Sequence, residues 1–112
     1  MKTPFVADLP NILVIHARDA ICTTCKEASA QLGMPVRFAA DMQTAMELVP
    51  AMRPLVLVCD AKEGIADASA AAHLSGTIDA VVIQLDGTET VEQVASLLRE
   101  ACLEAEAKRK KR

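Results

Sequence analysis

Cys22 and Cys25 are the first residues whose types and spacing are suited to chemistry, because Cys-x-x-Cys is the spacing of thiol–disulfide exchange. Such a pair is reactive when the first thiol lies at a helix N-terminus, where the helix dipole lowers its pKa. Here Cys22 stands well past Ile15, the end of an apolar segment, so we expect it beyond the first turn of the next helix. Cys25 shares an apolar helical stripe with Ile21 and Leu32, which favours a place in the core. A redox role for this pair is therefore the alternative hypothesis.

His16 and Asp60 form a second candidate pair, since each stands at the end of an apolar segment typical of a buried strand. The carboxyl ends of parallel strands meet at one edge of a sheet, which would bring these two side chains near each other. In the plainer interpretation, His16 hydrogen-bonds the neighbouring loop or Asp60. Asp60 is then expected to be a solvated carboxylate at the end of its strand.

The elements that must position these residues alternate between strands and helices. Predicted strands cover residues 11–16, 35–39, 55–59 and 80–85; predicted helices cover residues 18–32, 41–50 and 65–74, and a last helix begins at Thr88 or Thr90 and carries the stripe Val91, Val94, Leu98 and Ala101. The strands are apolar throughout, which indicates helices on both faces of the sheet. We therefore predict an α/β three-layer sandwich of flavodoxin type. Its parallel four-stranded sheet has the order 2-1-3-4, with the first and last helices on the same face.

The composition limits the protein to one domain and excludes several kinds of partner. The chain has 112 residues, of which 52% are hydrophobic; residues 1–107 are the predicted domain and residues 108–112 a solvated basic tail. Aromatic residues make up 2% and the net charge is −3, so neither base stacking nor a basic surface favours nucleic acid. No apolar run reaches the roughly 20 residues of a membrane span, and the first residues lack a signal-peptide pattern, so a cytoplasmic protein is expected. The cysteines and histidines show no metal-ligand spacing, and we predict no metal or other cofactor.

Four stretches of the chain, in the same order and with similar gaps, resemble the receiver domains of bacterial response regulators. They are Ile12-Leu13-Val14-Ile15-His16-Ala17, Gln31-Leu32-Gly33, residues 39–48 and residues 53–60. The resemblance covers residues 11–60 and is poor beyond them. In receivers the first stretch ends in an acidic pair that binds Mg²⁺, and the last ends in the aspartate that accepts phosphate. The resemblance therefore places Asp60 at the phospho-acceptor position.

The departures from the receiver pattern remove most of the phosphorylation chemistry. His16 and Ala17 stand at the positions of the acidic pair, and an imidazole and a methyl group cannot replace two carboxylates around a hard cation. Without that metal, nothing neutralises a phosphoryl group arriving at Asp60. The chain is also expected to lack one strand–helix unit of a receiver. It is thus similar to a degenerate receiver, a pseudo-receiver, in which Asp60 is a vestigial site.

His16 has a further interpretation, because domains of the sugar phosphotransferase IIB type share this strand order and carry a phosphorylated Cys or His after the first strand. A phosphate cradle uses small residues whose N–H groups face the anion. The loop here, Ala17-Arg18-Asp19-Ala20, has no glycine and carries a carboxylate. A phosphocarrier role for His16 is accordingly a further alternative.

The main hypothesis is a protein–protein interaction module rather than an enzyme. We expect it to act in bacterial signalling or in a larger assembly, independently of phosphorylation. Its expected partners are proteins, and neither nucleic acid nor a membrane is among them. The fourth strand is expected at an open edge of the sheet, where a homodimer is one way of covering it.

Overall fold

The computed structural model describes residues 11–62 and 68–111, and over these residues strands and helices alternate along the chain. The elements are β1 (Ile12–Ile15), α1 (Asp19–Leu32), β2 (Val36–Ala39), α2 (Met42–Met52), β3 (Val56–Asp60), α3 (Ala68–Ile78), β4 (Val81–Leu85) and α4 (Val91–Lys110). The predictions made for the first four residues of the chain and for the start of the third helix lie outside the described residues. No described helix is long and apolar enough to cross a membrane.

The four strands form one parallel sheet in the order β2-β1-β3-β4, which confirms the predicted flavodoxin-like architecture. Ile15 of β1 is level with Ala39 of β2 and with Cys59 of β3. Asp60, the last residue of β3, is level with Leu85 of β4. The in-register pairing therefore brings the carboxyl ends of all four strands to one edge, where the predicted site residues lie.

Two apolar cores cover the two faces of the sheet, as the strand pattern predicts. The face under α1 and α4 buries Ile12, Val14, Ile21, Cys25, Ala28, Leu55, Val56, Val58, Leu85, Val94, Ala95, Leu98, Ala101, Cys102 and Ala105. The face under α2 and α3 buries Leu13, Ile15, Ala39, Ala45, Val49, Leu57, Ile78 and Ala80. The last helix, with its stripe Val91, Val94, Leu98 and Ala101, lies over β3 and β4 rather than over β1 and β3. The reason is that α1 already covers β1 and β2, so the apolar surface left on that face is above β3 and β4.

The helix ends follow local sequence signals in α1 and at the start of α2, and depart from them at the ends of α2 and α3. Gly33 ends α1 in the left-handed conformation, and the Asp41 carboxylate accepts a hydrogen bond from the Thr44 N–H at the start of α2. The predicted helix ends at residues 50 and 74 are wrong, since α2 runs on to Met52 and α3 to Ile78. Pro50 removes one hydrogen bond in the last turn of α2, where the remaining helix is short. Gly76 is carried through by the burial of Ile78.

The last helix is longer than its apolar stripe. Thr90 and Gln93 form a capping box at its start, which decides between the two predicted N-caps. At its other end residues 108–110, predicted as a solvated tail, continue the helix. Arg109 fixes this end, because its guanidinium donates hydrogen bonds to the carbonyl oxygens of Ile78, Arg53 and Pro54. Arg109 thereby ties α4 to the loops that precede β3 and β4, at the amino end of the sheet.

Candidate functional site

The candidate site lies where the carboxyl ends of β1, β3 and β4 meet, and its centre is Asp60. The side chain of Asp60 is 0% exposed. The expectation of a solvated carboxylate is therefore wrong. The physical reason is an arginine on the neighbouring β1–α1 loop, Arg18, whose guanidinium lies over the end of β3 and supplies the countercharge that a buried carboxylate requires.

Arg18 and the chain after β3 saturate both oxygens of the Asp60 carboxylate. Oδ2 accepts hydrogen bonds from the backbone N–H of Arg18 at 2.9 Å and from its Nε at 2.8 Å. Oδ1 accepts from Nη2 of Arg18 at 3.0 Å and from the backbone N–H of Lys62 at 2.9 Å. This is the bidentate arginine–carboxylate geometry, with a backbone donor added on each oxygen. A carboxylate offers about four acceptor positions, so these four donors occupy the capacity of Asp60.

The same contacts place a negative charge at the start of α1. Arg18 is the N-cap residue of α1, and its own side chain makes no capping bond. The Arg18 N–H is one of the donors at a helix start that have no partner within the helix, and it donates to the Asp60 carboxylate. The N-terminus of a helix attracts anions through such donors and through the helix dipole. The position at which a phosphate cradle would hold its anion is therefore occupied by a carboxylate of the protein itself.

Arg18 also reaches the end of β4. Its Nη2 donates a hydrogen bond of 2.7 Å to the carbonyl oxygen of Asp86. Gly87 follows with a φ of 98°, and a Cβ atom there would lie 3.2 Å from that same nitrogen. The guanidinium thus joins three loops, after β1, after β3 and after β4. In an open parallel sheet, ligands usually bind in the crevice between the two strands at which the strand order reverses. Here these strands are β1 and β3, and Arg18 occupies the crevice between them.

The turn after β4 is closed by its own side chains. The Asp86 carboxylate accepts hydrogen bonds from the N–H and the hydroxyl of Thr88, and these bonds lower the pKa of Asp86. The Glu89 carboxylate accepts from the N–H groups of Asp86 and Gly87. The donors of this turn are therefore directed inward, and the turn does not present them to a ligand.

His16 and Ala17, which stand where a receiver has its acidic pair, follow β1 directly and precede Arg18. His16 is exposed in a left-handed conformation with a φ of 50°, and its N–H donates to the Ala39 carbonyl of β2. Hydrogen bonds from Thr44, and to a smaller extent the charge of His16, lower the pKa of Asp41 just after the end of β2. Ala17 packs half-buried against the core under α1 and α4.

Cys22 and Cys25, the two cysteines of the Cys-x-x-Cys pair, are free thiols in an environment that disfavours the thiolate. Cys25 is 0% exposed, and burial together with the charges of Cys22 and Glu89 raises its pKa to about 12. Burial raises the pKa of Cys22 as well, followed by the charges of Asp19 and Asp60. The Cys22 backbone N–H makes the first helical bond of α1, to Arg18, which puts the thiol past the first turn as expected. A reactive thiol needs a lowered pKa, and this environment gives the reverse.

Arg18 is the residue that sequence reasoning missed. It entered only as the start of a helix and as part of a loop without glycine. The available signal was a pair of opposite charges, one directly after each of two predicted strands that lie next to each other in the predicted order. What the pattern cannot give is the burial of Asp60, which turns an ordinary charge pair into the centre of the edge.

Comparison of the sequence with models of known protein families gives no match, and comparison with curated proteins gives none either. The assignment of a function thus rests on the geometry of the carboxyl edge and on the fold that positions it.

Proposed function

We propose that this protein is a non-catalytic, receiver-like module for protein–protein interaction that acts independently of phosphorylation. The observation that carries the proposal is the saturation of Asp60 by Arg18 and by two backbone N–H groups. An aspartate attacks a phosphoryl group through a free carboxylate oxygen. Both oxygens of Asp60 are buried and hydrogen-bonded, so this step would require Arg18 to leave first.

The residues around Asp60 add a second support. Phosphoryl transfer to a carboxylate depends on a cation that neutralises the charge on the phosphoryl oxygens. His16 and Ala17 offer no carboxylate for such an ion, and the backbone N–H of His16 donates to the Ala39 carbonyl of β2. Arg18 brings a positive charge, but its guanidinium already binds the Asp60 carboxylate and the Asp86 carbonyl oxygen. The edge therefore carries a fixed internal ion pair in place of a reaction centre.

A fixed ion pair also argues for a surface that does not switch. A switch requires two states that a ligand or a modification binds differently. Arg18 holds the loops after β1, β3 and β4 together without any added group. The module is thus proposed to present one surface constantly to a protein partner, in signalling or in a larger assembly in the cytoplasm, and a second copy is one such partner.

The direct test is exposure of the intact protein to acetyl phosphate and Mg²⁺, followed by the mass of the whole chain. We expect no gain of a phosphoryl group in the natural sequence. The matched control is Asp60→Asn, which keeps the shape of the side chain and removes the nucleophile. A stoichiometric gain of mass in the natural chain that disappears in Asp60→Asn would overturn the proposal.

A binding experiment tests the other half of the proposal. Proteins captured from the native extract on the immobilised chain are identified and then titrated with and without acetyl phosphate and Mg²⁺. Phosphorylation-independent docking predicts the same affinity in both conditions. An affinity that changes with the phosphodonor in the natural chain, and not in Asp60→Asn, would contradict it.

A further inference from the structure

The two edges of the sheet, β2 and β4, are built differently, and only β2 carries the usual protection against pairing. Pro35 precedes β2 and Arg37 lies within it, and both proline and charge discourage a further strand from adding at an edge. β4 reads Val-Val-Ile-Gln-Leu and contains no proline and no charge. Within the described part of the chain, no strand pairs with its outer side.

The hydrogen bonds to β3 fix which backbone groups of β4 point outward. The Val81 N–H donates to the Leu55 carbonyl, and the Leu85 carbonyl accepts from the Ala61 N–H. Neighbouring residues of a strand alternate in direction, so Val81, Ile83 and Leu85 bond towards β3. Val82 and Gln84 consequently direct their N–H and C=O groups to the open edge.

The side chains of β4 leave apolar surface beside those backbone groups. Val81 and Ile83 are half-buried against the core under α1 and α4, and Val82 is half-buried against the core under α2 and α3. Gln84 is exposed. Both faces of the edge therefore offer partly covered apolar side chains that a neighbouring strand would bury.

We infer that β4 is the pairing edge of a homodimer in which two copies join antiparallel about a two-fold axis at Ile83. In this register Val82 of one copy faces Gln84 of the other, and each such pair exchanges both N–H···O bonds, because these are the residues with outward groups. Ile83 faces its own equivalent in the non-hydrogen-bonded pair between them, where side chains come closest. The two-fold thus matches donors to acceptors and brings the two Ile83 side chains together, and no charge lies opposite a like charge.

A second copy supplies a strand for this edge, because over the described residues the outer side of its own β4 is unpaired as well. The residue at the two-fold faces its own equivalent, and Ile83 is apolar, so two copies meet there without a repelling charge. The inference rests on the proposed interaction role and names the partner as another molecule of the same chain.

The experiment measures the mass of the protein in solution over a wide range of concentration, by sedimentation or by light scattering. We expect the natural chain to pass from one to two chains per particle as its concentration rises. Gln84→Pro removes an outward N–H without touching a bond to β3, and proline is tolerated at such a position. It deletes two hydrogen bonds per dimer and should weaken association about thirtyfold. The matched control is Phe38→Pro, since the hydrogen bonds of β1 to the Pro35 and Ala39 carbonyls direct Phe38 to the outer edge of β2.

A second variant keeps the inference open to refutation if Gln84→Pro fails to fold. Ile83→Cys places two thiols across the two-fold at a distance that permits a disulfide. We expect covalent dimers under mild oxidation for Ile83→Cys, far fewer for Gln84→Cys, and none for the natural chain.

A natural chain that is monomeric at every concentration would overturn the dimer, as would association that is lost in Phe38→Pro and kept in Gln84→Pro. Equal cross-linking of the two cysteine variants would overturn the register. None of these results bears on the mass test with acetyl phosphate, so failure of the dimer and failure of the proposed function are distinguishable.

Discussion

Two arginines close opposite ends of the sheet, and they differ in what they bind. Arg18, at the carboxyl end, pairs with a fully buried carboxylate and with one carbonyl oxygen. Arg109, at the amino end, donates hydrogen bonds to the backbone carbonyl oxygens of Ile78, Arg53 and Pro54. Removing Arg109 leaves carbonyl dipoles without these donors, whereas removing Arg18 leaves a buried carboxylate without its countercharge. The two ends are therefore similar in form and unequal in energy.

That inequality also separates function from structure. An arginine that satisfies the carbonyls at two helix ends is a structural tie, in the manner of a cap. An arginine that neutralises a buried aspartate at the ligand edge of the sheet determines what that edge is able to bind. The carboxyl end is the one at which a change of sequence is expected to create a new property as well as to alter stability.

The largest expected effect is that of Arg18→Ala. Breaking a buried ion pair by removing one partner costs about 3–5 kcal/mol, and the 36% exposure of the Arg18 side chain places this variant near the low end. Urea unfolding measures the loss. Lys62→Ala is the control, because Lys62 contributes only its backbone N–H to Asp60. The double variant with Asp60→Asn should recover part of the loss, since it removes the unpaired charge. No recovery would mean that charge burial is not the cause.

Arg109→Ala should have the next largest effect, about 1–2 kcal/mol from hydrogen bonds to partly buried carbonyl oxygens. Lys108→Ala is its neighbour control: the ion pair between Lys108 and Glu104 is exposed, and such pairs contribute about 0.3–0.5 kcal/mol. A chain that ends after Ala107 should lose as much stability as Arg109→Ala. A loss in Arg109→Ala equal to that in Arg18→Ala would contradict the difference between the two ends.

Alkaline pH should destabilise the protein through its thiols before it affects either arginine. The pKa of Cys25 rises from an ordinary value of 9.0 to about 12 in the folded chain, so the unfolded chain loses this proton first. The stabilisation is complete below pH 9 and declines as the pH rises towards 12. At pH 10 the loss is about 1 kcal/mol for Cys25. Urea unfolding at pH 8 and pH 10 measures it, and Cys25→Ala should show a smaller difference between the two. An unchanged difference would assign the loss to other groups.

The smallest effect separates contact with Arg18 from backbone strain. Gly87 and Gly33 both have positive φ, but only a Cβ at Gly87 would press on the Arg18 guanidinium. Gly87→Ala should therefore cost about 0.5–1 kcal/mol more than Gly33→Ala, in the range of mild overpacking. Thermal unfolding of the two variants provides the comparison. Equal costs would show that the guanidinium shifts aside freely.

The sequence by itself determined the strand order, the distribution of helices on the two faces and the core position of Cys25. These follow from apolar periodicity and from the handedness of parallel crossovers, both of which are local or general properties. The caps at Gly33 and Asp41 follow for the same reason, because a cap depends on a few neighbouring residues.

Only the tertiary structure decided the fate of the charged residues. Asp60 is 0% exposed and saturated because Arg18, far from it in the chain, lies on the adjacent loop. Arg109 belongs to the fold because α4 brings it to three carbonyls that a basic tail would never meet. Burial and pairing of a charge depend on which distant segments become neighbours. The sequence shows which residues are charged, and tertiary packing decides which of those charges are removed from water.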